Sequence, residues 1–164
     1  MKPLKILLIA ALLIAIHINA KAQVGVGIYT IGTAAGLSFK TSQTKKFYNE
    51  LRFSNSGFVS GITNSTFTSE LLGIYRIQFL DKVRFHTGLG IRFEWNSKQN
   101  EKYGAAIPLG VEAFPFAAIP NVALFFEVGP FYNTDFKKAY TAGLRTLSGV
   151  SYYFVSNNSK HQTK

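Results

Sequence analysis

Cysteine is absent from the 164 residues. That excludes a disulfide framework, a thiolate metal site and the lipid-modified cysteine of a lipoprotein. Acidic residues are few: 8 Asp and Glu stand against 18 Lys and Arg, for a net charge of +10. A basic excess can mark a nucleic-acid partner. Here the basic residues are scattered and no helix collects them, so no nucleic acid is expected. Long apolar runs are also scarce. The unbroken stretch 6–16 is well short of the ~20 residues that a spanning helix needs. Lys2 and Lys5 precede it, and Ala20-Lys21-Ala22 follows as a small-x-small pattern before Gln23. Residues 1–22 therefore read as a cleavable secretion signal. Beyond them no segment keeps a 3.6-residue apolar period of useful length, so no helix is expected in the mature chain.

What the chain does have is period two. In residues 82–95 (KVRFHTGLGIRFEW) the odd positions are Val83, Phe85, Thr87, Leu89, Ile91, Phe93 and Trp95. The even positions are Lys82, Arg84, His86, Gly88, Gly90, Arg92 and Glu94. Such alternation marks a strand with two unlike faces. Its length suits a tilted strand crossing a bilayer, ~9–11 residues plus rims. Eight such segments are expected: 24–31, 35–40, 47–54, 66–79, 82–95, 105–116, 122–132 and 139–154. The turns near 41–46, 80–82 and 117–121 share one side. The connections at 32–34, 55–65, 96–103 and 133–138 share the other, outer, side. The expected architecture is all-β: a closed, antiparallel, eight-stranded up-and-down transmembrane barrel over 23–154. A polar, disordered tail is expected over 155–164.

Alternation alone does not say which face is outside, because a soluble lipocalin-like barrel alternates too. The charges decide. All five arginines, Arg52, Arg76, Arg84, Arg92 and Arg145, fall on the polar faces with Glu50, Glu70, Glu94, Glu112 and Glu127. Most lysines sit in the signal, turns, loops or tail; Lys40 and Lys82 come near strands only at their ends. A face of Arg and Glu with few Lys reads as a confined ion-pair network, together with the inward His86. Eight glycines (25, 27, 88, 90, 110, 129, 143 and 149) share that face and leave room for long side chains. Apolar-face aromatics gather at strand ends. Phe53, Phe67, Phe93, Trp95, Tyr132 and Tyr140 form one girdle; Phe39, Phe47, Phe79, Phe85, Tyr152 and Phe154 form the other. Centring the tight turn on Asp81 sets Glu70 opposite Arg92 and Arg76 opposite His86. Centring the last loop near Phe136 sets Glu127 opposite Arg145.

With this topology and its C-terminal strand, the chain resembles the small eight-stranded outer-membrane β-barrels of the OmpA/OmpX type. The run Gly149-Val150-Ser151-Tyr152-Tyr153-Phe154 is similar to the glycine-x-x-aromatic-x-aromatic signal such proteins present to the barrel assembly machinery. Gly149, Tyr152 and Phe154 carry it. The sequence departs from the pattern in the ten residues that follow and in Leu147 at a usually polar position. The resemblance implies export to the bacterial outer membrane. The partners implied there are outer-membrane lipid, lipopolysaccharide and the assembly machinery.

No catalytic, cofactor-binding or metal residues are assigned. Glu and His are not clustered at metal spacing. The Gly-x-Gly pairs lack a third glycine and a following helix. His86 as a base would need a nucleophile and a substrate path. Lys98, Lys102, Lys137 and Lys138 read as a solvated outer loop rim that could also meet lipopolysaccharide phosphates. The expected role is a non-enzymatic envelope protein, most simply a monomer, with a plugged polar lumen. A narrow passive pore, a lipid A-modifying barrel enzyme and a soluble calycin-like ligand binder are the alternatives.

Overall fold

The computed structural model describes residues 24–57, 65–80, 82–96, 101–135, 137 and 139–154, with Phe79 described in its backbone only. The expected signal 1–22 and tail 155–164, together with Gln23, 58–64, Asp81, 97–100, Phe136 and Lys138, lie outside the described residues.

Nine strands form one antiparallel sheet: β1 (Gly25–Ile31), β2 (Ala34–Lys40), β3 (Phe47–Asn55), β4 (Thr66–Leu80), β5 (Val83–Asn96), β6 (Lys102–Ala106), β7 (Leu109–Ala113), β8 (Val122–Thr134) and β9 (Tyr140–Tyr153). The pairings β1–β9 and β4–β5 close the sheet on itself. Closure pairs each strand on both sides where its neighbours reach, and the upper half of β9 runs past the end of β1. The expected sixth strand, 105–116, is corrected to two pieces. Both β6 and β7 lie between β5 and β8, so they share one stave and the barrel keeps eight. Pro108 causes the break, since it has no N–H to give the ladder. The chain reconnects through Gly88 N–H to the Pro108 carbonyl (3.1 Å) and Ile107 N–H to the Pro130 carbonyl (3.0 Å).

Alternation places the apolar side chains outward. Leu144 is 76% exposed and Leu89 and Ile28 are 63% exposed, while Arg52, Arg76, Glu50 and Glu112 are at 0%. This is the reverse of a water-soluble core, and it fixes the ionic face as the lumen. The β1–β2 turn is two residues, with Gly32 at φ 56, where side chains larger than hydrogen are strained. In β4 a bulge at Ile77 shifts the register by one between Arg76↔His86 and Gln78↔Phe85.

Ladder partners trace the barrel's stagger. From Ile28 they run through Leu37, Phe53, Ser69, Phe93, Tyr103 and Thr134 to Tyr140. Ile28 is itself paired to Val150, ten residues further along β9. The strands are therefore tilted, as closure requires. The whole offset falls at one seam. β8 and β9 pair over 122–134 and 140–152, but β1 and β9 pair only over 25–30 and 148–153.

Candidate functional site

The lumen is the site the sequence singles out, and the structure brings all of its predicted ionic residues inside the barrel. They form three tiers.

In the tier nearest the outer loops, Arg92 Nη1 donates to Glu70 Oε1 at 2.5 Å, and Arg145 Nη1 donates to the same oxygen. Glu94 Oε2 lies 3.4 Å from Arg92 Nη2 and accepts from Asn133 Nδ2 at 2.9 Å. In the middle tier Arg52 grips Glu127 with two prongs, Nη1 to Oε2 at 2.7 Å and Nη2 to Oε1 at 2.6 Å. Its Nε donates to Glu50 at 2.8 Å. His86 Nε2 lies 2.9 Å from Glu127 Oε1. In the tier nearest the short turns, Lys40 Nζ donates to Glu112 Oε1 at 2.9 Å, and the Tyr153 hydroxyl donates to that oxygen at 2.5 Å. Arg76 lies 3.6 Å from Glu112 Oε2 and donates to the Ser42 carbonyl at 3.0 Å. Arg84 donates to the Gln43 carbonyl at 2.5 Å. Aromatic faces cover the cations: Arg76 sits 4.1 Å over Tyr48, Arg84 4.2 Å over Phe114 and Lys40 4.2 Å over Phe125.

Cross-lumen partners override ladder neighbours. Arg52 is opposite Glu70 in the β3–β4 register, Lys40 opposite Glu50, and Arg84 opposite Glu112. Each gives its shortest polar contact elsewhere. In a ring of eight staves, staves four apart face each other. Lys40–Glu112 joins β2 to β7, Arg52–Glu127 joins β3 to β8, and Arg145–Glu70 joins β9 to β4. Every tier thus contains one bridge across a full diameter.

The register has Glu70 opposite Arg92 and Arg76 opposite His86, as the turn at Asp81 predicts. The expected Glu127–Arg145 pair is corrected: Glu127 faces Leu147 and Arg145 faces Gly129. The loop centre lies one residue later than expected. Asp135 Oδ1 accepts from the N–H groups of Lys137 (2.8 Å) and Ala139 (3.1 Å), and this side-chain turn sets the crossing. Sequence reasoning passed over Lys40, Tyr153 and Asn133. Lys40 shares parity with Ser38 and lies opposite the inward Glu50, and that signal would have found it.

On the outer face Phe53, Phe67, Trp95, Phe93 and Tyr103 form a continuous chain of rings, with centroids 5.6–6.1 Å apart. Tyr132 and Tyr140 are exposed nearby in chain order on β8 and β9. Phe47 and Phe85 are exposed toward the other end, where Tyr152 and Phe154 contact edge-on at 5.1 Å. Phe39, expected at that end, lies edge-on to Phe53 at 6.5 Å, so the two belts meet on the short β2 wall. Gly149 is packed where a Cβ would touch the Phe125 ring at 2.7 Å.

Gly110 makes the middle tier possible. A Cβ there would meet His86 Nε2 at 2.6 Å and crowd the Glu127 stem. Gly110→Ala is expected to push His86 off Glu127 and lower stability by about 1–3 kcal/mol, the usual cost of overpacking. Urea midpoints in lipid vesicles check this, and a shift within error would show that the contact gives way freely.

No protein-family model and no characterised protein sequence matches the chain. Solved structures do. The N-terminal β-barrel domain of Pseudomonas aeruginosa OprF superposes with a TM-score of 0.58 at 15% identity, covering 80% of this chain and 97% of that one. Neisserial surface protein A gives 0.51 at 16% identity, covering 80% and 95%. At such identities the likeness speaks to fold: the chain is a closed, antiparallel β-barrel of eight staves, like those two structures.

Proposed function

We propose that the protein is an integral outer-membrane barrel, exported to the bacterial envelope, that conducts no solute and fills a non-enzymatic role there. The observation that carries this reading is the set of three buried ion pairs, each crossing a full diameter of the lumen. An eight-stranded interior is only wide enough to be filled by side chains. Here it is filled by hydrogen-bonded ions with aromatic faces against them. The exposed Ile, Leu and Phe of the outer wall call for hydrocarbon rather than water. His86 is 2% exposed and occupied by Glu127, which leaves it no route to a substrate. The partners of this reading are membrane lipid, lipopolysaccharide and the machinery that inserts barrels. Lys137 is exposed beyond the outer end of β8 and serves as part of a hydrated rim.

Planar bilayers test it. The wild-type barrel is expected to give no discrete conductance steps. Arg52→Ala combined with Arg145→Ala, which removes two of the three bridges, is expected to produce small, frequent openings. Steps from the unaltered protein would replace this reading with a passive pore.

A further inference from the structure

We infer that the seam between β9 and β1 is a docking edge for an extended segment of another polypeptide, added as a strand alongside residues 140–147. Four observations converge there. First, β1 stops pairing at Thr30↔Ser148, so residues 140–147 have β8 on one side and no strand on the other among the described residues. Tyr153 N–H donates to the Asn121 carbonyl and Phe154 N–H to the Val24 carbonyl, on opposite sides. Alternation carries this up the strand: Ala142, Leu144 and Thr146 turn both N–H and C=O toward the open side. Residues 140–144 are exposed on both faces.

Second, nothing blunts the edge. Residues 140–147 contain no proline and no lysine, and their one charge, Arg145, points into the lumen. Third, the outer wall just below the seam is an apolar groove of about 890 Å³, bordered by Ile28, Leu37, Phe53, Phe67, Leu124 and Val150. A strand seated on the edge would lay its outward side chains beside this groove. Fourth, Arg145 is buried, yet its Nη2 has no acceptor among the described residues. Among the described residues the lumen holds six cations, Lys40 and the five arginines, against five glutamates. The inward face of the incoming segment is therefore matched by a carboxylate.

A second copy of this chain does not fit. Two copies in one membrane run their β9 strands in the same vertical sense. Tilt crosses those strands instead of laying them antiparallel. The occupant is an extended segment running antiparallel to β9, apolar outward and acidic inward. The inference rests on the outer-membrane reading for the depth of the groove, but its test is separate from conductance.

The test measures residue-resolved amide exchange on the barrel in lipid nanodiscs. The probe is a synthetic decapeptide of alternating valine and threonine with one central glutamate. Without peptide, the Ala142, Leu144 and Thr146 amides are expected to exchange at least tenfold faster than those of Thr141, Gly143 and Arg145. Peptide is expected to slow the first set at least tenfold, and the glutamine version to bind about tenfold more weakly. Ala142→Pro removes an edge-facing N–H and no β8 bond, so the barrel should fold and lose the peptide. Leu144→Pro serves if that variant fails to fold. Even-numbered amides already protected in the bare barrel, or peptide protection that persists in the proline variant, would overturn the inference.

Discussion

Arg52→Ala should cost more stability than any other single truncation of the lumen, about 3–5 kcal/mol. Arg52 is fully buried and is the shared partner of Glu50 and Glu127, themselves at 0% and 2% exposure. Removing the guanidinium leaves two desolvated carboxylates, and among the described residues only His86 Nε2, against Glu127, makes another polar side-chain contact with either. Arg92→Ala is the comparison. Arg92 is partly hydrated, and Glu70 keeps Arg145 when it is gone, so its loss should be less than half as large. Arg52→Lys cannot restore the two-pronged grip and should recover only part of the loss. Urea unfolding in lipid vesicles, followed by the fluorescence of the single tryptophan, reads all three. A loss below 1 kcal/mol for Arg52→Ala would mean that water has replaced the bridge at no cost.

The second large effect belongs to the opposite face. Leu89 lies midway along β5 between Phe85 and Phe93, pointing outward and 63% exposed. If that wall sits in hydrocarbon, Leu89→Arg should destabilise the barrel by about 2–4 kcal/mol, as an arginine at mid-depth does. Tyr140→Arg, at the upper rim, should cost at most about 1 kcal/mol. The same unfolding assay separates them. Equal, small losses at both positions would remove the membrane from the account, because a water-facing surface accepts arginine anywhere.

Much of this was readable from parity. The strict alternation of residues 82–95 defined a strand, its outward face and its inward face, and centring the hairpin on Asp81 gave the β4–β5 register from Arg76↔His86 to Thr66↔Asn96. Parity cannot see a bulge: beside the turn Leu80 pairs with Val83, one residue off the expected register, and the bulge at Ile77 cancels that offset. It also fails wherever a loop's length does not fix its centre, and the Asp135 turn moved the last hairpin for that reason. The cross-lumen partners were out of reach for a different reason. Ladder neighbours follow from sequence offsets, but the partner across a diameter depends on barrel size and stagger, which only the closed structure supplies. The split at Pro108 was missed, since one strand was expected over 105–116, although a proline inside an otherwise regular strand was the signal for a break.

Three of the four diameters of the cylinder carry an ionic spoke. The fourth, from β1 to β5, runs between Gly25 and Gly27 on one wall and Gly88 and Gly90 on the other. Lateral pressure from the surrounding bilayer meets stiff resistance along the spoked directions. Along the glycine one the space is taken by neighbours, Tyr153 beside Gly25, Ile74 and Pro108 beside Gly88 and Leu72 beside Gly90, so there the wall is held by packing rather than by charge.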